Sequence, residues 1–125
     1  MRGVILAASV LLAMGGAVEA ESAKPVQRFV CVFDKHISPE TDGISHKSPL
    51  TYEFTVDGTG QAFAVGKSIY PVRVVVGDRA VTFLEELASG AVQTTTINSN
   101  GKAVHSRHTI LFGRFIASQY YGTCK

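Results

Sequence analysis

Val92-Gln93-Thr94-Thr95-Thr96-Ile97-Asn98-Ser99-Asn100-Gly101-Lys102-Ala103-Val104-His105-Ser106-Arg107-His108-Thr109-Ile110-Leu111-Phe112 decides the fold class. Two β-rich runs flank Asn100-Gly101, a strong hairpin signal. The first run is dense in Thr and Val, residues that fit a pleated surface. No window after residue 20 repeats apolar residues at i, i+3 and i+4, so no ordinary helix is expected.

Working outward, the same grammar recurs. Strands are predicted at 28–34, 50–56, 61–65, 68–76, 80–86, 92–98, 103–112 and 118–124. In 50–56, Leu50, Tyr52, Phe54 and Val56 face one way while Thr51, Glu53 and Thr55 face water. Turns are read at 57–60, 77–78 and 88–90. Every connection is short except the first, a polar stretch over 35–49. Loops of that length are often functional. About eight short strands in antiparallel meander order must curl into a small barrel or a two-layer sandwich.

The remaining sequence gives an address. Met1-Arg2 is a positive start, 4–14 is apolar or small apart from Ser9, and Val18-Glu19-Ala20 suits signal peptidase. Residues 1–20 are therefore read as a signal peptide and 21–125 as one β domain. The apolar run falls short of the roughly 20 residues a membrane-spanning helix needs. A periplasmic or secreted location follows, with no membrane span in the mature chain.

Cys31 and Cys124 are the only cysteines. An even count in an exported chain reads as a disulfide. Two buried thiols or a catalytic cysteine are the rivals. Neither position offers the nearby base that a nucleophilic thiol needs.

Charge and motifs exclude several function classes. The whole chain has 12 Lys and Arg against 10 Asp and Glu, a net +2. These are spread along the chain, without the clustering of a nucleic-acid surface. There is no P-loop, dinucleotide fingerprint, zinc spacing or nucleophile elbow, so neither cofactor nor metal is expected. His105 and His108 would point to opposite faces of a strand and cannot chelate together. His36 and His46 share the long loop with Glu40 and Asp42, without compact ligand spacing.

Candidate site residues come from the hairpin. A two-residue turn at Asn100-Gly101 pairs Ile97 with Val104, Thr95 with Ser106 and Gln93 with His108. Ile110 and Phe112 continue that face, which is expected inside. Thr94, Thr96, His105, Arg107 and Thr109 are then solvated. A one-residue slip would bury Arg107 in place of His108. Gln93, Thr95, Ser106, His108 and Tyr120 are the candidate ligand-binding residues. They form either a polar end to a pocket or a self-satisfied hydrogen-bond network. Tyr120 and Tyr121 point to opposite faces. One joins the core; the other, beside Gln119, is a candidate contact anchor.

The pattern Val92-Gln93-Thr94-Thr95-Thr96-Ile97, Ala103-Val104-His105-Ser106-Arg107-His108-Thr109 and Ser118-Gln119-Tyr120-Tyr121-Gly122-Thr123-Cys124 resembles a group of small exported bacterial proteins of uncharacterised function. That resemblance implies bacterial export and supplies no reaction or ligand. The expected architecture is also similar to that of periplasmic inhibitors of secreted metalloproteases, which use an N-terminal arm; residues 21–27 would be that arm here.

The leading expectation is an exported, non-catalytic binding module, with a small molecule as its candidate ligand. The alternative is a periplasmic protein–protein module, such as a protease inhibitor or envelope factor. A small hydrolase with Ser106 as nucleophile and His108 as base stands third, lacking a fixed orienting acid.

Overall fold

The computed structural model describes residues 26–38, 43–45 and 49–125. The leader, most of the 21–27 arm, and Glu40, Asp42 and His46 lie outside the described residues.

The described chain is all strand and turn: β1 (Gln27–Ser38), β2 (Gly43–Ser45), β3 (Leu50–Val56), β4 (Ala62–Val65), β5 (Ile69–Val76), β6 (Ala80–Glu86), β7 (Val92–Asn98), β8 (Lys102–Leu111) and β9 (Arg114–Cys124). Each strand from β3 onward pairs antiparallel with the next, and β9 returns to β1. Eight strands thus close a barrel, which decides against the sandwich. Closure removes the open edges a flat meander would expose. β2 is the extra strand. It pairs with the far end of β1, from His36↔Ser45 to Ser38↔Gly43, inside the stretch expected to be loop.

The seam between β1 and β9 is held in three ways. Cys31 and Cys124 sit directly opposite each other with Cα atoms 4.0 Å apart, and their sulfurs are bonded. Val30 and Lys125 exchange two backbone hydrogen bonds of 3.1 and 2.9 Å. Gly122 lies against Phe33 on β1, where an added Cβ would strike the Val32 carbonyl oxygen and come within 2.6 Å of Phe33 Cα. Only glycine lets the two backbones approach this closely. Beyond Phe33 the β1–β9 register shifts at a bulge, and Lys35 meets Tyr121.

The β7–β8 turn corrects the expected register. Its loop has three residues, not two: Asn98 O accepts from Gly101 N at 3.0 Å, and Gly101 has φ +86°. This is a type I turn followed by a left-handed glycine. Asn98 Oδ1 also accepts from Lys102 N at 3.0 Å. The extra residue slides β8 by one. Ile97 faces Ala103, Thr95 faces His105 and Gln93 faces Arg107. The β7 face was read correctly, with Gln93, Thr95 and Ile97 buried. On β8 the faces are reversed. His105 and Arg107 point inward, while Ser106, His108 and Ile110 point outward with Val104. Phe112 lies on the turn to β9 and is 94% exposed, not in the core.

The core gathers at the disulfide end. Phe54 and Phe83 stack with centroids 4.3 Å apart, and Phe29 meets Phe83 at 5.5 Å. Ala62, Ala64, Ile97, Ala103 and the disulfide fill the space around them. Each fully buried Phe side chain contributes about 1.5–3 kcal/mol.

Candidate functional site

The slipped register divides the candidate residues between two places. Gln93, Thr95 and Tyr120 come together inside the barrel. Ser106 and His108 sit on its outer surface.

The inner group is a layered hydrogen-bond network. The ladder aligns Glu85, Gln93, Arg107 and Ser118 across β6 to β9, above the level of Phe83, Thr95, His105 and Tyr120. Glu85 Oε2 accepts from Gln93 Nε2 at 2.8 Å and from Tyr70 Oη at 3.0 Å. Thr95 Oγ1 bonds His105 Nδ1 at 2.8 Å. Arg107 Nη2 donates to Tyr120 Oη at 2.6 Å. The Tyr120 ring in turn stacks on His36 at 4.5 Å. His105 stacks on Tyr52 at 4.6 Å. Reading His105 and Arg107 as solvated was therefore wrong, because Gly101 adds one residue to the turn.

Burial sets the electrostatics of this layer. It pushes the His105 imidazole down to about 4, with the Arg107 charge adding to the effect. The ring is thus neutral at physiological pH, and its Nε2 is buried without a hydrogen-bond partner. His36 Nε2 is in the same position. Burial, then the Glu85 charge, pushes the Tyr70 hydroxyl up to about 12. Tyr52 is raised for the same two leading reasons. These residues mostly satisfy one another, as a buried polar layer must.

The outer group is a strip along the β8–β9 hairpin. Its cross-strand pairs are Val104–Tyr121, Ser106–Gln119, His108–Ala117 and Ile110–Phe115. Ile37 on β1 flanks Gln119. Tyr121 Oη donates to Gln119 Oε1 at 2.8 Å. A groove of about 360 Å³ is lined by Ile37, Ser106, His108, Ala117, Gln119 and Tyr121. A second, of about 400 Å³, runs along Thr96, Asn98, Lys102, Val104 and Tyr121. Tyr121 belongs to both. Past His108 the strip leaves the barrel wall, because β7 pairs β8 only up to Arg107. There Ile110, Leu111, Phe112 and Phe115 are exposed, and Phe112 adopts φ 51°. A bulky residue in the left-handed region is strained, and the two-residue turn to Gly113 imposes it.

Reading the sequence found Ser106 and His108 but placed them inside. One of the two tyrosines, beside Gln119, was read as a candidate contact anchor; Tyr121 is the outward one, and it is half-buried and bonded to Gln119. Arg107, His105 and Tyr70 were missed as inner residues. The recoverable signal was the glycine spacing: Gly60 and Gly90 close turns with the same hydrogen bond as Gly101, to Asp57 O and Leu87 O.

Among the described residues no group of three or more His, Cys, Asp or Glu could hold a metal ion. No described helix is long and apolar enough to cross a membrane. The disulfide is compatible with a location outside the cytoplasm. No protein-family model, no curated protein and no solved structure matches the chain.

Proposed function

We propose that this chain is an exported, non-catalytic binding module whose ligand site is the outward face of the β8–β9 hairpin. The observation that carries this reading is the pair of adjoining grooves sharing Tyr121. Each lies at the low end of the roughly 300–1,000 Å³ of ligand pockets. Aromatic rings fill the disulfide half of the barrel interior, so a ligand finds its concave surface outside that half. The apolar leader segment and the disulfide support export into an oxidising compartment, with the periplasm as our preferred site.

The test is a map of backbone amide shifts in the oxidised protein, titrated with small-molecule extract of the host envelope. Shifts concentrated in 104–108 and 117–121 are expected. Shifts confined to Tyr52, Tyr70, Glu85 and Gln93 would move the site to the barrel mouth and overturn the reading. Turnover of an ester or peptide that disappears in Ser106→Ala would also overturn it.

The exposed hairpin tip favours a second reading, a protein–protein module. Phe112 and Phe115 are 94% and 73% exposed. Adjacent apolar residues at such exposure mark contact sites. A photo-crosslinker at Phe112 should give a discrete envelope adduct, while one at Ser89 on a neighbouring turn should not. Equal labelling from both positions would remove this reading.

A further inference from the structure

We infer that the two grooves beside Tyr121 take a neutral oligosaccharide of at least two sugar units, one unit stacked on the Tyr121 ring. This inference rests on the outward hairpin face being the binding site.

The lining chemistry selects this ligand class. The first groove offers the Ser106 hydroxyl, the His108 imidazole and the Gln119 amide, with no carboxylate or permanent cation. The second offers the Thr96 hydroxyl and the Asn98 amide, with Lys102 as its one charged group. An extended polyanion would need a row of cations, and only two stand near these grooves, Lys102 and Lys35, the cross-strand neighbour of Tyr121 on β1. Hydroxyl, amide and imidazole groups both donate and accept, as sugar hydroxyls do. An apolar guest would leave them desolvated and unpaired.

Backbone pairing argues against an extended peptide. Peptides that add to sheets use a free strand edge. Here Ser106 is paired with both Thr94 and Gln119, and Gln119 with both Ser106 and Ile37. At Ser106 and Gln119 no main-chain edge is open, and the edge that β8 leaves free on its β7 side begins only at His108, so most of the groove is read by side chains. A pyranose ring suits that demand. Its C–H face packs on an aromatic ring while its hydroxyl rim reaches the flanking polar groups.

Tyr121 is built for this role. Its hydroxyl bond to Gln119 Oε1, at 2.8 Å, holds the ring in place before a ligand arrives. It also leaves Gln119 Nε2 free to donate to a sugar. With a groove on each side of the ring, neighbouring units of one chain have somewhere to go.

The experiment is an amide-shift titration of the oxidised protein with tetramers of β-1,4-linked N-acetylglucosamine, β-1,4-linked glucose and β-1,4-linked mannose. A Thr/Val hexapeptide serves as comparison. At least one sugar should bind with Kd of about 1 mM or tighter and shift Ser106, His108, Gln119 and Tyr121. Tyr121→Ala should weaken it about ten-fold, a typical loss for an aromatic contact. Tyr121→Phe, which frees the ring from Gln119, should weaken it about three-fold. Ser106→Glu, an outward change that spares the core, should weaken binding about ten-fold or more by filling the groove with a longer side chain.

Binding unchanged in Tyr121→Ala and Ser106→Glu overturns the inference. So does the absence of binding by all three sugars. If the peptide alone shifts these same amides, the glycan is wrong and the face stands. If envelope extract shifts only residues elsewhere, both fall.

Discussion

The two ends of the barrel use the same strand alternation to opposite effect. At the disulfide end the inward positions are Phe29, Cys31, Phe54, Phe83, Ile97 and Cys124, and the interior is packed with rings and sulfur. From the level of Phe83 onward the inward positions turn polar, first Thr95, His105 and Tyr120, then, one layer further along, Glu85, Gln93 and Arg107. The first set is stabilised by leaving water. The second loses hydration and recovers it only through specific hydrogen bonds. Stability is therefore concentrated at one end. The other end carries strict geometric demands, and the projecting hairpin and its outer grooves begin beside it.

The largest effect should come from opening the seam at the dry end. The bond between Cys31 and Cys124 closes a separation of 93 residues. A loop of that size corresponds to about 4.7 kcal/mol of stabilisation in the chain-entropy model. Cys31→Ser/Cys124→Ser should therefore lower the unfolding free energy by up to that amount in urea titration. A loss below about 1 kcal/mol would mean that backbone pairing alone holds the seam. Gly122→Ala comes next. Its methyl group would meet the Val32 carbonyl and the Phe33 backbone, which cannot rotate away as a side chain can. The expected loss is about 3 kcal/mol, the upper part of the range for overpacking. A neutral Gly122→Ala would show that β1 and β9 are less tightly joined than this contact implies.

The same contrast governs how much of the molecule was legible. The alternation of Leu50, Tyr52, Phe54 and Val56 places one face inside whatever the strand's partners are. The meander follows from short connections, and the disulfide from two cysteines in a chain read as exported. Register is different, because it depends on counting residues in turns. Asn98-Ser99-Asn100-Gly101 contains an Asn-Gly pair suited to a two-residue turn, yet it folds as a three-residue loop with glycine left-handed. One residue exchanged Ser106 and His108 for His105 and Arg107. The dry end tolerates such a misreading, since Ala103 and Val104 are both apolar. The polar end does not, since each layer there has its own chemistry. β2 was hidden for another reason: its three residues, Gly43–Ser45, lie in a polar stretch without alternation.

A titration measures the polar end without altering the dry one. His105 is held at about 4 in the fold, against an ordinary 6.5. The unfolded chain binds the proton first. Stability is then fully present above pH 6.5 and falls as pH drops, by about 3 kcal/mol when pH reaches the folded value. Glu53 and Asp57, whose carboxyls are lowered by Arg28 and by Thr59, lose their contributions only below about 4.5. Between pH 6.5 and 4.5 His105 therefore contributes a slope of its own. Thr95→Val/His105→Phe replaces the bonded pair with apolar groups among Phe33 and Tyr52. That variant should flatten the slope of Tm against pH in this window. An unchanged slope would place the responsible proton elsewhere.

The smallest expected effect lies at the rim, where the polar layer meets solvent. Tyr70 is 40% exposed, and its hydroxyl bonds Glu85 Oε2 at 3.0 Å. Tyr70→Phe removes one donor but leaves Gln93 on the same oxygen, so the loss should be about 1 kcal/mol. Its alkaline signature is sharper than its stability cost. The folded hydroxyl is held up to about 12 against an ordinary 10.0. Its stabilising contribution is fully present below pH 10 and fades as pH rises toward 12. Difference absorbance of tyrosinate should thus show a late-titrating tyrosine that Tyr70→Phe deletes. Glu85→Gln should move it back toward the ordinary value, because the carboxylate charge is the second cause of the shift after burial. If Glu85→Gln leaves the titration in place, burial alone sets it. Glu85 would then be bound to Gln93 and not to Tyr70, and the rim would be looser than the layer beneath it.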